Sequence, residues 1–129
     1  MKADSNPNNL PVAITLGDPA GIGPELAIKI MSDQKIPSSK RLVFIGNLWA
    51  LNETAMVMGV ELPPLNLIHR PEDSVIGFNF IEPKAVPKPN AFRLGEVQAA
   101  CGKSAMEAIE FGAKGCLVGH FSGLVTLPI

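Results

Sequence analysis

The chain has 129 residues, and its content of 47% apolar and 18% charged residues favours a protein that buries a core over a disordered segment. Eleven basic and twelve acidic side chains give a net charge of −1, which offers no field to attract nucleic acid or an anionic membrane surface. The two cysteines, Cys101 and Cys116, are too few for a disulfide framework and suit a reducing, cytoplasmic environment.

The first strand and helix are predicted after a short tail. Residues 1–10 are mostly polar and lack the apolar segment of a secretory signal, so they predict a flexible tail before an α/β domain at 11–129. The apolar run from Pro11 to Leu16 predicts a strand covered on both faces. Apolar residues at helical spacing then predict a helix that starts at Pro24 and ends near Ser32.

A second strand and helix follow in the same order. The run from Arg41 to Gly46 predicts a strand, and Asn47 is predicted to cap a helix that Gly59 ends in the left-handed conformation. A short strand is expected at Leu65 to Ile68. The segment from His69 to Asn90 is rich in proline and shows little periodicity, so most of it is predicted to be loop.

The longest predicted helix lies between Gly95 and Gly115. One face of it carries apolar and small residues at spacings of three or four, namely Val97, Cys101, Ser104, Ala105, Ala108, Ile109 and Gly112. Gly123 to Ile129 predicts another buried strand, with which the sequence stops. Alternating strands and helices predict an α/β fold with a largely parallel sheet. The apolar ending predicts that the chain has been cut short.

The loop from Gly17 to Glu25 is the strongest candidate site. A loop between a strand and a helix amino terminus is a favourable place for an anion. However, the loop fits neither the Walker pattern nor the dinucleotide fingerprint, and the Asp18 carboxylate would repel a bare phosphate and suits sugar hydroxyls better. The alternative is that Asp18 caps the turn, the glycines supply positive φ, and Glu25 interacts favourably with the helix dipole.

Other polar residues give weaker signals. His69 and His120 have no Asp, Glu or Cys at ligand spacing, so both are predicted to be solvated loop residues that form no metal site. Cys101 is predicted to be buried as a small apolar residue rather than to act as a nucleophile. Three cations flank the proline-rich segment and predict a solvated edge: Lys84, Lys88 and Arg93.

The string ITLGDPAGIGPEL, from Ile14 to Leu26, resembles the amino-terminal signature of the 4-hydroxythreonine-4-phosphate dehydrogenases of pyridoxine (vitamin B6) biosynthesis. Two further stretches agree in order and spacing. Leu94 to Gly115 is similar to the long helix of that family, and Gly123 to Ile129 is similar to the strand that leads into its next turn. The resemblance covers nearly the whole chain but less than half of such an enzyme.

The resemblance implies an isocitrate dehydrogenase-like fold of three α/β/α layers, of which this chain is the leading part of the first domain, with the second domain absent. It implies a cytoplasmic homodimer that uses NAD or NADP and a divalent metal ion to oxidise and decarboxylate a phosphorylated small-molecule substrate. The cofactor-binding residues would be Asp18, Ala20, Gly21 and Ile22. The family's metal-binding histidines and its substrate-binding residues match positions beyond Ile129, so no catalytic or metal-ligating residue is predicted here, and the chain alone is expected to be inactive.

Two other interpretations stay open at this stage. The chain could be a non-catalytic module for folding, dimerisation or phosphate binding, which its helix face of small residues would suit. It could also belong to a related dehydrogenase that acts on another phosphorylated hydroxy acid or a cyclic diol, because the residues that select the substrate lie downstream. Replacing Asp18 with Ala should strengthen the binding of inorganic phosphate if the module is a phosphate binder.

Overall fold

A computed structural model describes residues 9–37, 39–84 and 86–129, so most of the predicted tail lies outside the described residues. Within those ranges the chain alternates strands and helices, and a 3₁₀ turn at Pro71–Asp73 precedes the fourth strand. The elements in chain order are β1 Val12–Thr15, α1 Gly23–Met31, β2 Arg41–Ile45, α2 Leu48–Met58, β3 Asn66–Leu67, β4 Gly77–Ile81, α3 Ala99–Leu117 and β5 Gly123–Thr126. None of these helices is long and apolar enough to cross a membrane.

All five strands join one sheet in the order β3-β4-β2-β1-β5, and every pairing is parallel. Strand β1 therefore lies between β2 and β5. Its first residue, Val12, is in register with Leu42 on one side and with Gly123 on the other. The carboxyl ends of β1, β2, β4 and β5 consequently meet at one edge of the sheet, where the loop that follows β1 begins.

Two cores lie on opposite faces of the sheet, because successive strand residues point to opposite sides. One core joins Ile14, Phe44 and Phe80 to the buried faces of α1 and α2. The other joins Val43 and Ile81 to Ala108 of α3. The predicted α/β/α architecture with a parallel sheet is confirmed, and cover on both faces explains why the strands are continuous apolar runs.

At the carboxyl ends of β2 and β4 the chain leaves toward opposite faces of the sheet. Strand β2 leads to α2 on the first face, whereas its neighbour β4 leads to α3 on the second face. A crevice between two neighbouring strands whose connections leave to opposite sides is the usual place for a ligand in an open α/β sheet.

Most of the described residues from His69 to Asn90 are loop as predicted, but the segment also contains β4, an interior strand that the prediction missed. Asn79 interrupts the apolar run, yet it is fully buried because its side chain satisfies the backbone around it. Its Oδ1 accepts the Val75 N–H at 2.9 Å, and its Nδ2 donates to the oxygens of Leu42 at 3.0 Å and Val75 at 2.8 Å. Asn79 is therefore a polar residue within a buried strand and does not mark a turn.

Element ends and faces differ from the prediction in further places as well. The last strand is β5 and not a buried strand to Ile129, since it lies at the sheet edge and is half-exposed. Val97 precedes α3 and is 100% exposed, so it does not share the buried helix face. Helix α1 starts one residue earlier than predicted, with Pro24 in its first turn, and β3 spans two residues.

Candidate functional site

The loop after β1 is held by a close contact with the far end of the chain. Gly17 has a φ of 75°, which non-glycine residues rarely adopt, and a Cβ there would lie 2.0 Å from the Pro128 carbonyl oxygen. The next residue, Asp18, donates its N–H to the same Pro128 oxygen at 3.1 Å. The loop therefore leaves β1 in a direction that only glycine permits, directly beside the segment that follows β5.

Asp18 turns the loop toward the helix. Its Oδ1 accepts the Ala20 N–H at 2.8 Å, and its carbonyl oxygen accepts the Gly21 N–H at 2.9 Å. The capping interpretation is thus correct for the Asp18 side chain. Positive φ, however, is needed at Gly17 and not at Gly21 or Gly23. Gly23 is required for space, since a Cβ there would lie 1.7 Å from the Leu16 oxygen.

The amino terminus of α1 has no side-chain cap. Ile22 occupies the cap position, makes no side-chain hydrogen bond to the first turn, and is 58% exposed. The carboxylate in that turn, Glu25, forms an ion pair with Lys29 at 3.6 Å. Uncapped N–H groups and the positive end of the helix dipole together favour a negatively charged ligand such as a phosphate group.

The amino terminus of α2 is occupied by the protein itself. Asn47 takes the predicted cap position, but its side chain makes no cap bond to the helix and its Oδ1 accepts a hydrogen bond from Ser104 Oγ at 2.6 Å. The Leu48 N–H instead donates to Glu82 Oε1 at 2.6 Å. A carboxylate from the end of β4 thus fills the anion position of α2, while that of α1 has no side-chain cap.

A cavity of about 230 Å³ opens beside the α1 terminus. One wall is the loop itself, and the Ala20 oxygen accepts the Gly95 N–H at 2.7 Å, which draws the segment before α3 over the loop. The opposite wall comes from α2. The lining residues are Ala20, Gly21, Ile22, Glu25, Thr54, Val57, Met58, Leu94 and Gly95.

The structure brings together three of the four predicted cofactor-binding residues. Ala20, Gly21 and Ile22 line this cavity, whereas Asp18 does not, because its carboxylate turns back to its own loop. Ala20 is buried, and its carbonyl oxygen is bonded to Gly95. The residues that α2 and the Leu94-Gly95 segment contribute were missed, since their approach depends on long-range contacts. The isolated Gly95, with a φ of 82°, is the one local signal in that segment.

Comparisons with known proteins find similar chains among dehydrogenases. A D-threonate 4-phosphate dehydrogenase of Pectobacterium atrosepticum is 29% identical over 121 residues, which is 92% of this chain and 36% of that protein. A 4-hydroxythreonine-4-phosphate dehydrogenase of Synechococcus is 29% identical over 92% of this chain and 33% of its own length. The crystal structure of 4-hydroxythreonine-4-phosphate dehydrogenase from Klebsiella pneumoniae superposes with a TM-score of 0.80 at 29% identity.

The resemblance to the 4-hydroxythreonine-4-phosphate dehydrogenase family is confirmed. The similarity to the Klebsiella structure covers 92% of this chain and 37% of that one, so the chain spans little more than a third of the length of these dehydrogenases. No family model matches the chain.

Cys101 of α3 is 1% exposed and lies near the loop from Gly17 to Glu25, called the glycine loop below. The charge of Asp18 therefore affects the ionisation of its thiol. Burial raises the pKa of the Cys101 thiol, and the negative charge of Asp18 raises it further, while the Ala20 backbone opposes both. The thiol is therefore harder to ionise than that of a free cysteine, which agrees with the prediction of a buried residue rather than a nucleophile.

The described residues contain no group of three His, Cys, Asp or Glu side chains that could hold a metal ion. His69 is exposed, and the exposed His120 lies 3.8 Å from Glu72. The flanking cations are mostly engaged with nearby acids: Lys88 pairs with Glu53 at 2.6 Å, and Arg93 pairs with Glu96 at 3.7 Å. These residues thus do not fit the divalent ion that the resemblance implies, and no step can be assigned to one here.

Proposed function

We propose that the chain is the amino-terminal part of an NAD(P)- and divalent metal-dependent dehydrogenase that oxidises and decarboxylates 4-hydroxythreonine 4-phosphate in pyridoxine biosynthesis. The observation that carries the proposal is the uncapped amino terminus of α1 at the carboxyl end of β1, in a chain similar to dehydrogenases of that name. In this proposal residues 1–10 are a tail and 11–129 are the leading portion of the first domain of a cytoplasmic homodimer.

The loop fits part of a dinucleotide. The N–H groups of the first turn of α1 would bind the pyrophosphate, and the apolar wall formed by Ile22 and Val57 would lie against a ribose or a base. The Asp18 carboxylate is engaged by the Ala20 N–H, which lowers its repulsion of a phosphate group. When bound, the nicotinamide supplies the hydride acceptor. The contribution of this chain is to position the cofactor.

In this proposal the loop contributes only to cofactor binding. The proposal places the metal ligands and the residues that bind the substrate outside residues 1–129. The chain by itself is then expected to bind cofactor weakly and to lack turnover.

A second substrate is favoured by one observation. One of the similar proteins is named a D-threonate 4-phosphate dehydrogenase. In this proposal the loop at α1 binds the cofactor, so it does not select between the two acids. An enzyme that oxidises another phosphorylated hydroxy acid is therefore the alternative within the same proposal.

Titration of the isotope-labelled chain with NADH, followed by NMR, tests the loop assignment. The amide resonances of Gly21 to Gly23 should shift more than those elsewhere. Ile22→Glu places a negative charge at the α1 terminus and should weaken binding about tenfold, as expected for one lost charge-assisted contact. Met106→Glu adds the same charge at an exposed apolar position of α3 and should leave binding unchanged.

The assignment fails if NADH shifts no loop resonance, or if both variants weaken binding equally. Turnover is tested separately with the longest natural form of the protein, NAD, a divalent metal and each of the two phosphorylated acids. Product formed by residues 1–129 alone would contradict the expectation that this part is inactive.

A further inference from the structure

A second cavity, of about 200 Å³, lies between the start of α2, one side of α3 and the segment that follows β4. It shares no lining residue with the cavity beside the glycine loop. Its lining residues are Trp49, Lys84, Val86, Pro87, Pro89, Ala100, Cys101, Lys103, Ser104 and Glu107.

The walls of this second cavity are apolar and firmly held. The Trp49 ring packs edge-on against Phe92, with 4.9 Å between ring centroids, which fixes the indole on one side. On the other side, the proline-rich segment is fastened to α2 by the 2.6 Å ion pair between Lys88 and Glu53. A rigid aromatic surface facing prolines suits the flat or short apolar body of a small molecule.

Two buried donors have no acceptor among the described residues, one on a lining residue of the cavity and one on a residue directly behind the lining. They are the Trp49 indole N–H and the Asn47 amide nitrogen, and Asn47 is 5% exposed. The Asn47 oxygen accepts a hydrogen bond from Ser104, which itself lines the cavity. Indole and amide N–H groups can only donate, so they would be satisfied by the oxygen of a bound molecule.

The charges that line the cavity favour an anion. Lys84 and Lys103 approach from different elements, and Glu107 is the one carboxylate among the lining residues, which leaves a net positive charge. Cys101 adds no negative charge, since burial and the nearby Asp18 carboxylate raise the pKa of its thiol.

The location agrees with this chemistry. Asn47 follows β2 and Lys84 follows β4, and these are the two neighbouring strands whose connections leave to opposite faces of the sheet. The cavity does not depend on the helix dipole of α2, because Glu82 already accepts the N–H of Leu48. The donors and cations of the cavity itself are what would hold a ligand.

We propose that this cavity binds a small organic carboxylate, with its apolar body against Trp49 and the prolines and its oxygens near the buried donors and the two lysines. The proposal stands whether or not the chain binds a nicotinamide cofactor, because the two cavities have different linings.

Trp49 is the sole tryptophan of the chain, so its fluorescence reports on this cavity. The chain is titrated with benzoate, and with benzyl alcohol and benzylamine as a neutral and a cationic analogue, at constant ionic strength. A saturable fluorescence change is expected with benzoate. The neutral and cationic analogues should bind at least about tenfold more weakly, since they lose the charge-assisted hydrogen bonds.

Matched variants identify the cations. Lys103→Met and Lys84→Met should each weaken benzoate binding roughly two- to fivefold, as expected for partly exposed charges. Lys35→Met, an exposed lysine outside the lining, should not change it. Far-UV circular dichroism confirms that each variant is folded. The proposal is overturned if benzoate produces no saturable change, if benzyl alcohol binds equally well, or if Lys35→Met weakens binding as much as Lys103→Met.

Discussion

Position 17 requires glycine for two reasons, its positive φ and the close approach of Pro128, and substitutions can separate them. Gly17→Ala introduces a methyl group 2.0 Å from the Pro128 oxygen on a backbone with positive φ. Gly119→Ala has the same conformational penalty, since its φ is 82°, but nothing lies within 4 Å of its added Cβ. We expect Gly119→Ala to lower the free energy of unfolding by about 1 kcal/mol, and Gly17→Ala by about 3 kcal/mol or more. Urea denaturation measures both.

Equal losses in the two variants would mean that the loop can move away from Pro128 without cost. The close approach would then place no constraint on the path of the loop, and the conformational penalty alone would account for the presence of glycine.

The two cysteines should differ strongly in reactivity. The pKa of Cys101 is raised, first by burial and then by Asp18, so less thiolate is present at any given pH than for a free thiol. Labelling with iodoacetamide, followed by mass spectrometry, should modify the half-buried Cys116 first. The Cys101 rate should still rise with pH above about 8.5, the usual pKa of a cysteine.

The variant Asp18→Asn isolates the effect of the Asp18 charge on the pKa of Cys101. It keeps the Oδ1 acceptor for the Ala20 N–H but removes the negative charge, so the rate profile of Cys101 should move to lower pH while burial still slows the reaction. An unchanged profile would show that the carboxylate has no influence on the thiol.

At the scale of elements, Glu82 stabilises the start of α2 from outside the helix. Its Oε1 accepts the Leu48 N–H at 2.6 Å, where the helix dipole also favours a negative charge. We expect Glu82→Ala to lower the free energy of unfolding by about 1 kcal/mol, as for a lost amino-terminal cap. Glu61→Ala, at an exposed position after α2, is the matched control and should change it little. A loss in both variants of the same size would contradict the cap.

Elements with a strong local pattern could be predicted from the sequence, and one with a weak pattern could not. The strands β1 and β2, being covered on both faces, are uninterrupted apolar runs, and Gly59 ends α2 with a φ of 70° as predicted. Strand β4 was missed because Asn79 stands inside it. Its burial depends on hydrogen bonds to Leu42 and Val75, and tertiary contacts of that kind leave no local signal.

The candidate site could be predicted only where its residues form a local sequence pattern. The loop and its position before α1 follow from the glycines and from Pro24, which are local features. The wall from Thr54, Val57 and Leu94 depends on how α2 and the segment before α3 pack against the loop, so the sequence does not reveal it. The role of Glu82 at α2 has the same origin.

At the scale of the whole molecule, β5 leaves one edge of the described sheet open. It pairs with β1 along one side, and Val125 is 45% exposed. Edge strands with apolar side chains tend to pair with other chains. We expect the 129-residue chain to self-associate with rising concentration in sedimentation velocity, and Val125→Lys to suppress this. Met56→Lys, which removes a more exposed apolar residue from α2, should have no such effect. Equal suppression by both would indicate general apolar association.

The hydrogen bond from Asp18 to the Pro128 oxygen, together with the one from Gly95 to Ala20, has a consequence for folding kinetics. Both contacts join residues far apart in sequence, and so does the pairing of β1 with β5. Contacts between residues so far apart in sequence form late in folding, because the entropy of closing a long loop must be overcome first. The glycine loop should therefore become ordered only when the last strand docks. The hydrogen-bonded amide protons of Asp18, Ala20 and Gly21 would then exchange with solvent mainly through global unfolding, so a chain able to bind there has completed its folding.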